Sequence, residues 1–359
     1  MFVALRDLKF ARGRFALICS VITLVTILVG FLSGLAGGLA SQNVSGVLAL
    51  PFDKLVIATS GTGDTADFSS SNVTADQLDA WAAAAGVTSA VPLGITQARA
   101  ESTWGDAAVT IFGYDGIPEG DSGELASVAS GNIVLSSGAA GDLGAAVGDS
   151  VSVAGTEFVV SAIGGDWWYS HTAVVQTSLS DWQGLAGAQR QSSLYATAIA
   201  VTGAPAWDDV AATTDTTASG RLASLTAIPA FASEVGSLGM MIGMLFGISA
   251  LVIGAFFTVW TIQRAGDIAV LKALGASSRT LTLDALGQAA IVLAVGIGIG
   301  ITVVIALGSL SPSALPFLIS PITTALPAAL MVVLGLGGAA VGVRTVTSVD
   351  PLSALGSAR

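Results

Sequence analysis

Four long apolar runs, separated by segments of mixed character, set the outline of the chain. They cover roughly Phe15–Ala40, Val235–Ile262, Ala285–Leu310 and Thr324–Val343. Each approaches or exceeds the roughly 20 apolar residues that a helix needs to cross a bilayer. A helix also satisfies its own backbone in lipid, which an irregular segment cannot do. Between the first two runs the pattern changes. "TADQLDAWAAAAG" has Thr74 as an N-cap, a carboxylate in its first turn and a closing Gly86, and predicts a helix. "NIVLSS", "DSVSVAG" and "TEFVVSAIG" read as strands, the last two joined by an Ala-Gly turn into a hairpin. "DWWYSHTAVVQT" reads as a turn leading into another strand.

The predicted organisation follows. Residues 1–14 form an amphipathic helix on the inner membrane surface, with Phe2, Leu5, Leu8 and Phe10 against Arg6, Lys9, Arg12 and Arg14. The first span is 15–40, a mixed α/β domain is 41–233, and the second span is 234–262. A polar segment, 263–284, precedes the third span at 285–310. A proline-rich outer turn (311–323), a fourth span (324–346) and a tail (347–359) complete the chain. The basic start and small residues after the first span suit a signal peptide, but its apolar core is too long for one, so an uncleaved anchor is expected.

Composition agrees with a membrane protein: 53% of the 359 residues are hydrophobic and 10% charged, against about 25% charged in soluble domains. Charge then sets orientation. Of 13 Lys and Arg, nine lie at the N-terminus, in 263–284 or near the C-terminus; Lys54, Arg99, Arg190 and Arg221 lie in 41–233. Short loops rich in Lys and Arg stay inside. Both termini and 263–284 are therefore expected in the cytoplasm of a multi-pass plasma-membrane protein, with 41–233 outside. That outer segment holds 19 acidic residues against four basic ones, a solvated acidic surface unsuited to nucleic acid. Its fold has no disulfide to lean on, because the only cysteine, Cys19, lies in the first span.

Catalytic constellations are missing. One histidine, His171, beside Trp167, Trp168 and Tyr169, reads as structural and leaves no pair to hold a metal and no Ser-His-Asp set. No G-x-x-x-x-G-K-[ST] loop is present, so ATP and Mg must be bound by another chain. The chain reads as non-catalytic, with no cofactor of its own.

Two glycine ladders stand out, Gly30/Gly34/Gly38 and Gly239/Gly243/Gly247. The small-x-x-x-small spacing lets helices approach closely, and the first two spans are expected to pack there, within one subunit or across a dimer. The second ladder is interleaved with Met240, Met241 and Met244, and Phe231 and Glu234 lie just before it. An ionisable residue at a membrane edge is a functional candidate, and thioethers can ligate haem iron. These five residues form the candidate substrate site.

After the second span comes "QRAGDIAVLKALGASSRTL" (263–281). Ile268, Leu271 and Leu274 share a helical face, with Arg264, Asp267 and Lys272 around it and Gly275 ending it. An amphipathic cytoplasmic helix of this kind suits docking to a soluble partner. The stretch resembles the cytoplasmic signature of the FtsX-like/MacB-like ABC transporter permeases, matching at Asp267, Ile268, Leu271, Lys272, Ala273, Gly275 and Ala276; Asp267 stands where Glu is commoner. "VGDSVSVAGTEFVVSAIGGD" and the closing "DPLSALGSAR" are similar to other parts of that family. The resemblance implies a MacB-like (type VII) exporter permease of four transmembrane helices, with a large mixed α/β extracytoplasmic domain between helices 1 and 2. It further implies a homodimer with two copies of a separate ABC ATPase, which contacts Arg264, Asp267, Ile268, Leu271, Lys272 and Gly275 and drives lateral mechanotransmission. Within the family the chain resembles Gram-positive haem-exporting permeases of the HrtB type, so haem, or another lipophilic or drug-like substrate taken from the membrane lipids, is the expected cargo. An FtsX-like signalling protein controlling cell-wall hydrolases is the alternative, and lipid or lipoprotein extraction a further one.

Overall fold

The structure, a computed structural model, describes residues 12–59, 67–116, 127–188, 194–263, 266, 270, 274–310 and 315–347. The amphipathic N-terminal helix and the C-terminal tail lie largely outside the described residues. Four helices are long and apolar enough to cross a membrane: α1 (Arg12–Ala49), α6 (Pro229–Gln263), α7 (Ser278–Leu310) and α8 (Pro321–Thr347). The chain forms two compact units. One is 39–236, the inserted domain; the other is 1–38 with 237–359, the membrane unit.

The first helix does not stop near Ala40 but runs on to Ala49. Its last turns carry Val44, Val47 and Leu50 into the core of the inserted domain, so tertiary packing continues a helix that hydropathy alone would end. A bare Cα at Gly46 permits this approach, since a Cβ there would lie 2.9 Å from Val174 Cγ2 and 3.1 Å from the Trp168 carbonyl.

The inserted domain holds a ten-stranded mixed sheet. In chain order the elements are β1 (Lys54–Ala58), α2 (Ala75–Ala83), β2 (Val87–Glu101), β3 (Asp106–Tyr114), β4 (Asn132–Leu135), α3 (Ser137–Leu143), β5 (Ser150–Val153) and β6 (Thr156–Ile163). There follow β7 (Trp168–Tyr169), β8 (Thr172–Thr177), α4 (Leu179–Ala188), β9 (Ala198–Gly203), α5 (Trp207–Thr214) and β10 (Thr216–Gly220). The strand order is β10-β1-β9-β2-β3-β8-β4-β6-β5, with β7 beside β8 and β5 also meeting β2. β3–β8 and β4–β6 are parallel and the remaining pairs antiparallel. The expected hairpin is β5–β6, its turn made by Ala154 and Gly155 at φ 49° and 85°. The helix at 74–86 is α2, and Thr74 and Gln77 form its capping box.

Among the described residues three buried clusters pack on the sheet, one of them around Trp81 of α2 with Val56, Ile199 and Val201. A second packs Leu93, Phe112, Tyr114 and Val174 with the end of α1. The third packs Ile111, Ile133, Leu135 and Val175 with Trp182 and Leu185 of α4. The Trp182 indole lies on Gly94 and Gly113, which face each other across β2 and β3, and its Nε1–H donates to Thr96 Oγ1 at 3.0 Å. A buried indole thus gains a flat floor and a partner for its one donor.

In the membrane unit, Ile18, Ile22 and Val29 of α1 meet Val292, Leu293 and Ile297 of α7, Ile253 and Phe257 of α6, and Met331 and Ala339 of α8. Close approach is made by small residues: Gly296 and Gly300 of α7 lie against Ile22 and Thr26, and Gly338 of α8 against Gly254 of α6. Thr23 Oγ1 donates to the Gly296 carbonyl at 3.1 Å.

The first glycine ladder is filled from within the chain. Gly30 meets Val304 of α7, and Gly34 and Gly38 meet Phe317 and Pro316 of the segment that joins α7 to α8. Leu318 N–H donates to the Gly34 carbonyl at 3.0 Å. Among the described residues no heavy atom lies within 4 Å of a Cβ built at Gly239, Gly243 or Gly247. Of the two arrangements expected, within one subunit or across a dimer, contact between the ladders within one chain is not found among these residues. The spacing marks a face suited to close packing but does not name its partner.

Candidate functional site

Three polar side chains of the inserted domain converge from distant parts of the sequence: Asn43 in the last turns of α1, His171 at the β7–β8 turn, and Glu234 in the first turns of α6. The turn itself is unusual. Tyr169 pairs with Thr172, so Ser170 and His171 form a two-residue hairpin loop. Both have positive φ, 47° and 63°. Such loops favour Asn-Gly, because Cβ crowds the carbonyl oxygen in the left-handed region, which glycine escapes and asparagine tolerates. The loop is seated on α1. His171 N–H donates to the Gln42 carbonyl at 3.0 Å and Ser170 N–H to the Asn43 carbonyl at 3.2 Å. Trp168 N–H donates to Ser45 Oγ at 2.9 Å.

The imidazole then reaches Glu234. His171 Nε2 is 2.6 Å from Glu234 Oε1, and at that distance from a carboxylate oxygen the nitrogen carries the proton, since two acceptors would repel. Asn43 Nδ2 donates to Glu234 Oε2 at 2.8 Å and to the Leu39 carbonyl at 3.3 Å. With Nε2 protonated, its 3.1 Å approach to Asn43 Nδ2 is a contact between donors. Asn43 is fully buried, and its Oδ1 has no hydrogen-bond partner among the described residues. The pair is partly open to solvent, each side chain 34% exposed. Nearby, burial first and then the charge of Asp67 push the Tyr169 hydroxyl well above its ordinary value, so that it stays neutral. Among the described residues no three His, Cys, Asp or Glu side chains form a metal-binding group.

The five residues expected at the substrate site divide. Phe231 packs against the core of the inserted domain and Glu234 belongs to the cluster with His171. Met240, Met241 and Met244 belong to the membrane unit and are 70%, 48% and 63% exposed. They stand beside the open ladder on the least covered span: 17% of the apolar window of α6 is buried, against 33% for α1. Of the coupling residues, Arg264, Asp267, Ile268, Leu271 and Lys272 lie outside the described residues. Gly275 has φ 95°, a turn that a side chain would strain. Just beyond it, Ser277 Oγ accepts from Thr280 N–H at 3.2 Å and caps α7. Leu274 and Val270 are exposed.

Residues 239–351 match the family described as FtsX-like permease C-terminal. The matched stretch begins just after the cluster, at Gly239, and takes in the second ladder, the three methionines and the segment ending at Gly275. Along the whole chain, a protein of Staphylococcus haemolyticus named as a hemin transport system permease, HrtB, is 26% identical over 368 residues, 99% of each chain. A namesake from Staphylococcus epidermidis is 26% identical over 370 residues, again 99% of each. The extracellular domain of the noncanonic ABC-type transporter YknZ matches with TM-score 0.35 and 13% identity, over 47% of this chain and 100% of that one. The periplasmic region of MacB from Actinobacillus actinomycetemcomitans matches with TM-score 0.36 and 11% identity, over 51% and 94%.

His171 and Asn43 are what sequence reading missed. His171 looked structural, and its partners are 63 and 128 positions away. The available signal was the Ser-His pair itself, placed where a tight hairpin calls for Asn-Gly.

Proposed function

We propose that this chain is the membrane subunit of an ATP-driven exporter whose cargo is haem. The observation that carries the reading is the uncovered face of α6, where Met240, Met241 and Met244 stand exposed beside three glycines with open space above them. Thioether sulfur is a soft ligand for haem iron, and glycine leaves room for a flat macrocycle. The full-length similarity to proteins named as hemin transport permeases supports the same cargo.

In this reading the Lys- and Arg-rich ends and 263–284 face the cytoplasm, and the inserted domain lies outside. Two copies of the chain associate with two copies of a separate ATPase, which holds ATP and Mg and docks on the segment around Arg264–Gly275. Haem enters sideways from the lipid, and ATP-driven movement of the helices expels it. The test is purification of the complex from a membrane. An ATPase should accompany the chain in about equal amount, and haem should bind with a shifted Soret band. A colourless complex whose ATPase ignores haem contradicts the cargo.

A further inference from the structure

We propose that Asn43, His171 and Glu234 form a latch that is made and broken during the transport cycle. The inference rests on the permease reading above and deepens it. The backbone passes between the membrane unit and the inserted domain twice, after Gly38 within α1 and after Gly236 within α6. The latch holds the inserted-domain side of both crossings. Asn43 is on α1 and Glu234 is on α6, and the carboxylate of Glu234 accepts from Asn43 through Oε2 and from His171 through Oε1. One carboxylate thus ties the two helices to each other and to the β7–β8 turn. Any movement of α1 against α6 that reaches the inserted domain strains these bonds.

The local chemistry favours a bond made to open. Charge-assisted hydrogen bonds are short and strong, yet three local costs act against this one. Ser170 and His171 are held at positive φ, and the buried Oδ1 of Asn43 has no partner among the described residues. Backbone strain and unsatisfied buried atoms cluster where a structure switches. Asn-Gly is the pair that such turns favour. Here the only histidine of the chain occupies the strained position, with its ring on Glu234. Release of the carboxylate frees the Asn43 amide to turn its oxygen to a donor, so the open state recovers part of what the closed state loses.

The test is amide hydrogen exchange on the full permease with its ATPase, in nucleotide-free and ATP-trapped states, read at 229–236 and 168–172. The variants are His171→Asn, which tolerates the left-handed turn, Glu234→Gln, and the double. Each single variant should speed exchange at 229–236 by about ten-fold, the scale of one lost charge-assisted bond, and the double should add nothing further. In the unaltered protein, exchange there should differ between the two nucleotide states; in the variants the difference should vanish. Additive single effects overturn the latch, as does exchange that ignores nucleotide in a complex that hydrolyses ATP and exports haem. Absence of any bound ATPase overturns the permease reading instead, and non-additivity then still decides whether the three groups act as one.

Discussion

Two glycine ladders of the same spacing have opposite surroundings. Gly30, Gly34 and Gly38 are covered by Val304, Phe317 and Pro316 of the same chain, whereas among the described residues Gly239, Gly243 and Gly247 face open space. The first is spent on folding: it lets the segment after α7 lie against α1, with Phe317 5.4 Å from the Phe31 ring. Around the second, no other atom of the described residues comes within 4 Å of a built Cβ, and exposed methionines flank it. Small-x-x-x-small spacing therefore reports how close an approach can be, not what approaches.

The largest effect is expected at the filled ladder. A side chain at Gly38 collides with the Pro316 carbonyl, a backbone atom that cannot swing aside. Gly38→Leu should destabilise the membrane unit by about 3 kcal/mol, the upper range for overpacking, read as a lowered thermal midpoint in detergent. Phe317→Ala removes the ring that covers Gly34 and Gly308 and should cost about 2 kcal/mol, less than a fully buried Phe because the ring is half-covered. A midpoint that ignores both changes breaks the contrast between the ladders.

How much of this was legible differs from element to element. The four spans follow from apolar runs long enough to cross a bilayer, because length and composition are local properties. The end of α1 did not, since "SQNVSGVLA" (41–49) continues as helix only through the packing of Val44 and Val47 on a sheet whose strands come later in the chain. Strands with clear turns, such as the β5–β6 hairpin, were readable. The long β2 with its facing glycines was not, because Gly94 and Gly113 acquire meaning only under Trp182. Glu234 drew attention as an ionisable group beside an apolar run, but the groups that meet it come from helix and hairpin residues 191 and 63 positions away.

A smaller effect, in the inserted domain, serves as a control on the membrane-unit variants. Burial pushes the Asp181 carboxyl up, but the Gly131 N–H and the hydroxyls of Ser130, Ser178 and Thr177 outweigh it and hold the group below its ordinary value. A carboxyl lowered in the folded state contributes stability above its unfolded value, and that contribution fades as pH falls through the folded value. Asp181→Asn should therefore cost at most about 0.5 kcal/mol near neutral pH, after allowance for solvent screening, and the gap from the unaltered protein should close in acid. A gap that widens as pH falls contradicts this reading of Asp181.

The smallest effect on stability is expected at the open ladder. Gly243→Leu meets nothing among the described residues and should shift stability by less than about 0.5 kcal/mol. Self-association or export should fall by about ten-fold if that face is used, on the scale of one lost close contact. Crosslinking in the membrane separates this outcome from simple unfolding; a stable variant with unaltered association and export leaves the open ladder without a role.

The most direct measurement is haem titration of the purified complex, following the Soret band of the unaltered protein and of the triple change Met240→Ala, Met241→Ala, Met244→Ala. The exposed face of α6 as the haem contact predicts a saturable, shifted band in the first and its loss in the second, with the thermal midpoint unchanged. An identical band and affinity in both proteins, or no band in either, contradicts it.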